Sequence, residues 1–180
     1  HYLAAGDLED ARAVTARISG YLEKRGYYTE LIRLNQELLG EPHAEPMTWI
    51  ARSYLDQGDY GRAREWYGRA VEIAPVASAY NGLGMAYLYL GKHDQARENL
   101  QKAVDIYISE GDRAGEAAGL QGLASIDMEK SEFEAAHLKL QRIAEISKGL
   151  GDLQGLAAAL QEMARVDTIR HDYEAARPRL

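Results

Sequence analysis

The chain has 180 residues, a formal net charge of −7 at pH 7 and no cysteine. Without cysteine there is no disulfide, no thiolate nucleophile and no cysteine-built zinc site, which fits a cytoplasmic protein. The net negative charge opposes binding to the phosphates of nucleic acid, and no stretch is apolar enough to span a membrane. Neither nucleic acid nor a membrane is therefore an expected partner. Alanine and leucine far outnumber the strand formers valine, isoleucine and threonine, which predicts an all-α fold.

The first forty residues predict two helices that do not follow the later pattern. Turn signals of the Gly-Asp and Gly-Tyr type, twenty residues apart, place these helices near 8–24 and 27–39. Residues 1–40 are therefore predicted to be atypical N-terminal helices. Residues 41–46 are predicted to be a linker, because two prolines and little apolar content do not favour a continuing helix.

From residue 47 onward the sequence repeats itself. Leu83 recurs forty residues later as Leu123, and a step of 33 residues backward reaches Ile50. A Gly-Asp dipeptide at residue 111 also recurs forty residues later. The repetition predicts an array over residues 47–180, with units near 47–76, 77–116, 117–156 and 157–180, the last of them truncated.

Each unit is predicted to be a helical hairpin. The apolar residues recur at steps of three and four, interrupted once by a turn rich in Gly and Asp, for example at Gly58-Asp59. Small residues such as Ala96 and Ala136 are predicted to lie where two helices cross closely. One hairpin cannot bury its apolar faces alone, so the hairpins must stack, and the array is predicted to be an α-solenoid.

The last unit is predicted to reverse direction near His171 and to stop at Leu180, partway through its second helix. Pro178 lies inside that second helix, where it removes a backbone hydrogen bond. The parent protein is therefore expected to continue beyond this segment.

The repeat resembles the tetratricopeptide repeat family. Residues 47–75 and 80–103 follow the order of its signature, which runs from a large residue through Leu-Gly, Tyr, Gly, Tyr, Ala and Ala to Pro. The two later units are similar to the longer, forty-residue variant of Pins-type adaptors and bacterial STAND-type regulators. The resemblance implies a right-handed α-solenoid of stacked helix-turn-helix hairpins that binds proteins without catalysis.

Three positions depart from that signature. Asp127 and Asp167 stand where tyrosine is usual, and Ile143 stands where alanine is usual. The two aspartates lie forty residues apart, so they are predicted to stack at the same level of adjacent hairpins. One hypothesis is an acidic stripe that binds a basic peptide. The other is a structural role with local partners or access to solvent, because an unpaired buried carboxylate is costly.

The sequence contains no recognisable catalytic, cofactor or metal motif. Gly82-Leu83-Gly84 begins a dinucleotide fingerprint, but the third glycine is missing and no strand precedes it. The five histidines never stand three or four residues apart, as two ligands on one helix face would. We therefore predict no enzyme activity, no cofactor and no metal ion.

The first helix of each unit is predicted to line a concave groove, which is the expected binding site. Its polar side chains suit the main chain of a bound peptide, and its methionines can adapt to apolar side chains. The resemblance to other tetratricopeptide grooves implies the groove residues Thr48, Arg52 and Asp56, then Asn81, Met85 and Tyr89, then Gln121, Ser125 and Met128, and finally Gln161, Arg165 and Thr168.

The groove does not match the carboxylate clamp that chaperone adaptors of the family use. Those proteins hold a terminal carboxylate with Lys, Asn and Arg side chains. The corresponding positions here are Thr48, Arg52, Gly82, Ala118 and Gly122, and only the neighbouring Asn81 comes near the pattern. The expected ligand is therefore an internal peptide segment or the surface of a domain.

The leading functional hypothesis is the sensor or scaffold arm of a larger signalling or regulatory protein, in which binding along the repeats controls an attached domain. Two alternatives stay open. One is a self-standing adaptor that bridges two proteins, and the other is the substrate-recruiting arm of an enzyme whose active site lies elsewhere. The truncated last unit would also leave an apolar end, which allows end-to-end self-association.

Overall fold

The computed structural model describes residues 44–176, and it describes side chains from residue 47 to residue 171. The predicted N-terminal helices of residues 1–40, the start of the linker, Pro178 and Leu180 lie outside these ranges. The described residues form seven α-helices and no strand. They are α1 (Ala44–Asp56), α2 (Tyr60–Ile73), α3 (Ala77–Tyr89), α4 (His93–Glu110), α5 (Arg113–Glu129), α6 (Phe133–Leu150) and α7 (Leu153–Ala176).

The helices stack as hairpins. Each helix packs against the next one in the chain, and α1 also contacts α3, while α3 contacts α5. The pairs α1–α2, α3–α4 and α5–α6 are hairpins, and α7 continues the stack on α6. The predicted all-α solenoid is therefore confirmed for the described part of the chain.

Small residues let the helices of neighbouring hairpins approach one another. Ala96 and Ala136 are completely buried, as predicted for residues at helix crossings. Leu100 packs beside Ala96, and Leu140 packs beside Ala136, in two separate clusters of the core. The core is thus a row of clusters between stacked hairpins, as expected for a repeat protein in which each unit contacts its neighbours.

Helix α1 begins earlier than the sequence indicated. Ala44, Glu45 and Pro46, which were predicted as the end of the linker, form the first turn of this helix. A proline is tolerated there because the first N–H groups of a helix have no partner within the helix. The predicted linker therefore ends at residue 43 or earlier, and not at residue 46.

The Gly-Asp dipeptides set the ends of the helices between units. Gly111 ends α4 with a φ of 73°, and Asp112 accepts a hydrogen bond from the N–H of Gly115 at 2.9 Å. Asp152 accepts the equivalent bond from Gly155 at 3.0 Å. These aspartates cap α5 and α7, so both helices begin four residues before the predicted unit starts at 117 and 157.

Ser131 adopts an unusual backbone conformation in the turn between α5 and α6. Its φ is 60°, whereas the equivalent turn of the preceding unit has Gly91 with a φ of 70°. Positive φ is unfavourable for a residue that carries a Cβ atom. Ser131 therefore holds a position that is better suited to glycine.

We expect Ser131→Gly to raise the free energy of unfolding by about 0.5–1 kcal/mol, because it removes this strain. Ser125→Gly, inside α5, is the matched control and should lower the free energy of unfolding by about 0.5 kcal/mol, because glycine weakens a helix interior. Urea denaturation of the two variants measures both values. Changes of the same sign would contradict the role assigned to the turn.

The predicted turn near His171 is wrong, because α7 continues through this residue to Ala176 as one helix of 24 residues. His171 stands forty residues after Ser131, at the position where Gly91 turns in an earlier unit. A residue that carries a Cβ atom adopts a positive φ only at a cost in energy. Ser131 does so in the preceding unit, whereas His171 stays helical, so the described part of the last unit is a single helix.

Candidate binding surface

An open recess lies between α1, α3 and α5. Its volume is 340 Å³, and the predicted groove residues Arg52, Asp56, Asn81 and Met85 line it. Thr48 lines a second, smaller depression of 290 Å³, which shares Arg52 with the first. The predicted groove residues of the first two units, apart from Tyr89, thus lie on one surface, which the first helices of three successive units form.

A second group of predicted residues meets between α5 and α7. Ser125, Met128 and Arg165 line a depression of 470 Å³ whose apolar wall includes Phe133 and Ile169. Ser125 donates its hydroxyl hydrogen bond to the carbonyl of Gln121, one turn earlier. Predicted groove residues of the last two units therefore line a separate depression on α5 and α7.

The other predicted residues lie apart from these three depressions. Tyr89 stacks on Tyr60 with ring centroids 4.8 Å apart, near the turn between α3 and α4, and it stays 52% exposed. Gln121 and Gln161 are exposed on α5 and α7. Thr168 lines a shallow depression near the end of α7 and donates its hydroxyl hydrogen bond to the carbonyl of Ala164.

The charged groove residues pair with neighbours on their own helices. Arg52 lies 3.8 Å from Asp56 on α1, and Arg165 lies 2.6 Å from Glu162 on α7. Each pair cancels its own charge, so these parts of the groove present little net field to a ligand. A free terminal carboxylate finds no unopposed cation in either pair.

Asn81 is one of the polar residues that line the first recess, together with Arg52, Asp56 and Ser78. Its Oδ1 atom is buried beside Gly119 of α5 and has no hydrogen-bond partner among the described residues. Buried polar atoms in native proteins are almost always hydrogen-bonded. The Oδ1 atom of Asn81 is therefore a buried acceptor whose bonding capacity is not used within the described fold.

Comparison with known families identifies the repeat. Models of the tetratricopeptide repeat match residues 44–75 and 75–149, which together make up more than half of the chain. The chain belongs to the tetratricopeptide repeat (TPR) family. No curated protein sequence matches it.

Solved structures of other repeat proteins resemble this TPR array. A putative kinesin light chain from Podosopora anserina with nearly identical TPR-like repeats superposes with a TM-score of 0.72 at 18% identity, over 93% of this chain and 91% of that chain. For BtubC (BKLC) from P. vanneervenii the TM-score is 0.64 at 16% identity, over 91% and 88%. For the MamA protein it is 0.61 at 17% identity, over 92% and 97%. These similarities show the fold alone.

Two tyrosines from the second helices of TPR units form the recess, and the sequence pattern did not indicate them. The Tyr67 ring lies directly on the backbone of α3 at Gly82, and the Tyr107 ring lies on the backbone of α5 at Gly115. Burial raises the pKa of Tyr107 above its ordinary value, with smaller contributions from Asp112 and Glu110. The glycines inside these TPR helices could have indicated the two rings in the sequence, because a glycine permits a ring to approach the helix backbone.

We expect Gly82→Ala to lower the free energy of unfolding by about 1–3 kcal/mol, because the added methyl group would overlap the Tyr67 ring. Gly68→Ala on α2 is the matched control. Nothing lies near its added methyl group, so this variant should gain up to about 1 kcal/mol from helix propensity. Thermal melting distinguishes the two results, and destabilisation by both substitutions would contradict the close packing at Gly82.

Asp127 has a structural role in the TPR array. Its carboxylate is fully buried, Arg97 of α4 lies 2.9 Å from Oδ1, and Lys139 of α6 donates a hydrogen bond to Oδ2. Oδ1 accepts no hydrogen bond from the described residues, so the Arg97 contact is an ion pair and not a well-directed hydrogen bond. An acidic stripe that includes Asp127 is therefore wrong, because a ligand cannot reach this side chain.

Asp167 occupies the equivalent position one unit later. Its half-exposed carboxylate lies 3.1 Å from Nδ1 of His137, and His137 stands forty residues after Arg97. Two further cross-unit pairs repeat at the same step, Lys130–Asp94 at 2.8 Å and Arg170–Glu134 at 2.9 Å. Ion pairs between the second helix of one unit and the end of the first helix of the next therefore recur along the array.

The described residues offer neither a metal centre nor a membrane span. No group of three or more His, Asp or Glu side chains among them is placed to hold a metal ion. None of the helices described above is long and apolar enough to cross a membrane. His93 and His137 each lie against a carboxylate, at 3.3 and 3.1 Å, and His171 is exposed on α7.

Proposed function

We propose that the chain is a non-catalytic interaction module whose groove, on the first helices of its units, binds a peptide segment or a protein surface. TPR units generally mediate protein–protein interactions, and this chain consists of them over most of its described length. We further propose that it is the sensor or scaffold arm of a larger cytoplasmic signalling or regulatory protein. Binding along the repeats would then control an attached domain.

The Asn81 amide is the observation that carries the proposal. The last torsion of an asparagine is broad, so its amide can present either the oxygen or the NH₂ group to the recess. An extended peptide offers both N–H and C=O groups whatever its sequence. A rotation of the amide would turn the buried oxygen toward a bound segment, and the exposed amide of Gln121 on the next unit offers a second contact of the same kind.

The charges of the groove favour an internal segment over a chain terminus. The positions that correspond to a carboxylate clamp hold Gly82, Ala118 and Gly122, and Arg52 already faces Asp56. A terminal carboxylate placed there would lose water without gaining an unopposed cation. Main-chain hydrogen bonds and apolar contacts remain as the sources of affinity.

Affinity capture from a cell extract tests this proposal. We expect the unaltered chain to retain a partner that the groove variant Asn81→Ala/Gln121→Ala loses. The matched control is Asn99→Ala/Gln101→Ala on α4, the second helix of its unit, which should retain the same partner. Melting temperatures must agree among the three proteins. Capture of the same proteins by all three would contradict binding in the groove.

The parent reading frame separates the regulatory arm from its alternatives. A phosphate-binding loop or an effector domain beside these residues supports the arm, and a catalytic domain supports the substrate-recruiting role. A frame that contains only repeats supports the adaptor that bridges two proteins.

The exposed face of α7 supports end-to-end self-association as an additional property. Leu153 is 78% exposed and Leu160 is 52% exposed. One unit earlier, the counterpart of Leu160 is Leu120, which is half-buried on the face of α5 that α6 covers. We expect the sedimentation coefficient to rise with concentration, and Leu153→Glu/Leu160→Glu to abolish that rise. A concentration-independent monomer would contradict self-association.

A further inference from the structure

We propose that α7 pairs with α7 of a second copy of this chain, antiparallel around a two-fold axis, an inference that rests on the self-association proposed above. Helix α7 packs on α6 through the side that carries the buried residues Ala159 and Val166. Leu153 and Leu160 lie on the opposite side and stay 78% and 52% exposed. That side therefore faces away from the rest of the array.

Four exposed apolar residues form a strip along this side of α7, which we call the α7 strip. Leu153, Ala157, Leu160 and Ala164 follow one another at steps of four, three and four residues, so they lie on one face of the helix. All four side chains are uncharged, and large and small side chains alternate along the strip.

The α7 strip is complementary to itself when one copy is reversed. Read backward, the steps are again four, three and four, while the leucines and alanines exchange places. A two-fold axis between residues 158 and 159 sets Leu153 against Ala164 of the second copy, and Ala157 against its Leu160. A parallel pair would set leucine against leucine and leave gaps between the alanines, which close packing disfavours. The pattern therefore selects the antiparallel pair.

The polar residues beside the α7 strip are compatible with this pair. Arg165 lies at one edge of the strip and contacts Glu162 at 2.6 Å. In the antiparallel pair the two Arg165 side chains lie roughly 20 Å apart along the helix axes, so they do not repel each other strongly. The same edge carries the exposed amides of Gln154 and Gln161, which can form hydrogen bonds between the copies.

The symmetry and the length of the strip determine what kind of assembly results. A two-fold contact uses the same surface on both copies, so association stops at a dimer. From Leu153 to Ala164 the strip spans about 17 Å, which gives a smaller contact than the roughly 800 Å² per partner of a stable interface. We therefore expect a weak dimer that forms at micromolar or higher concentrations of the chain.

Sedimentation equilibrium of the intact chain tests whether the assembly is closed. We expect the average mass to approach twice the monomer mass as the concentration rises, and to rise no further. Growth to trimers and larger species would overturn the antiparallel pair but leave self-association intact. A monomer at every concentration would contradict both.

Cysteine cross-linking tests the direction of the pair, since the chain has no cysteine of its own. In a thiol redox buffer, Leu153→Cys mixed with Ala164→Cys should form a disulfide between the two variants, because these positions face each other. Neither variant should cross-link to itself, because its two copies would lie about 17 Å apart. Ala158→Cys, at an exposed position beside the strip, is the matched control and should not cross-link to Ala164→Cys. Cross-linking of Leu153→Cys to itself would overturn the inference.

Exchanging one large and one small residue tests the size complementarity. Ala157→Leu alone sets leucine against leucine, and Leu160→Ala alone sets alanine against alanine, so each should weaken the dimer roughly ten- to hundredfold. The double variant Ala157→Leu/Leu160→Ala again sets each leucine against an alanine and should regain most of the affinity. All three should melt like the unaltered chain at concentrations where it is monomeric, because both positions are exposed. A double variant as weak as the single ones would overturn the proposed register.

Discussion

Replacing Ala136 by aspartate is expected to lower the free energy of unfolding by about 4 kcal/mol or more. Ala136 has no solvent exposure and lies in the cluster that joins α5, α6 and α7 through Ala124, Leu140 and Val166. An aspartate there would be larger than the available space and would bring a carboxylate into an apolar crossing. Because each unit is stabilised by its neighbours, the loss should extend to the hairpin α3–α4 on one side and to α7 on the other.

Urea denaturation followed by circular dichroism measures this loss. Ala158→Asp is the matched control, since it makes the same change at an exposed position of α7 and should cost less than about 1 kcal/mol. Ala96→Asp tests the equivalent crossing one unit earlier and should resemble Ala136→Asp, because Ala96 is also fully buried. Equal effects of the buried and exposed substitutions would contradict the assigned packing.

These crossings could be predicted from the sequence because a small residue at a fixed step has a direct geometric meaning. Two helices can approach closely only where neither carries a bulky side chain, so the forty-residue recurrence of Ala96 as Ala136 indicated the contact. The helix ends were less predictable. They depend on single residues, such as Pro46 in a first turn and His171 where a glycine would favour a turn.

The binding surface could be predicted only in part. Helix periodicity determines which side of α1 and α3 carries Arg52, Asn81 and Met85, and these residues do line one recess. The shape of the recess could not be predicted, because it depends on the rings of Tyr67 and Tyr107, which come from the second helices of two units. Periodicity within one helix carries no information about how deeply a ring from another helix will reach.

The buried charge at Asp127 gives the second large effect that we expect. Arg97→Met/Lys139→Met should lower the free energy of unfolding by about 3–5 kcal/mol, because it leaves the fully buried carboxylate without either cation. Adding Asp127→Leu should restore most of this loss, since no buried charge then remains. The sequence singled out Asp127 and allowed a structural role for it, but it did not reveal the two partners, because Arg97 and Lys139 belong to different hairpins.

Two readouts separate a charge effect from lost packing. The hydrogen bond from Arg97 holds the pKa of Glu132 below its ordinary value, so NMR titration of the double variant should show that pKa rising. The exposed pair Lys130–Asp94 is the control, and Lys130→Met should barely change stability. If Asp127→Leu fails to restore stability, the loss came from the aliphatic stems of Arg97 and Lys139 and not from the buried charge.

If the triple variant regains stability, the buried charge of Asp127 is not needed for stability and must have another role. A buried ion pair is often no more stabilising than a well-packed apolar group, but it can select one arrangement among several. Asp127 meets cations from α4 and α6 at once, and a shift of either helix along α5 would separate a pair. If the pairs fix this register, the triple variant should keep its stability but populate more than one helix arrangement. Broadened NMR signals from α4, α5 and α6 would show that mixture. Sharp, native-like signals in a stable triple variant would contradict that role.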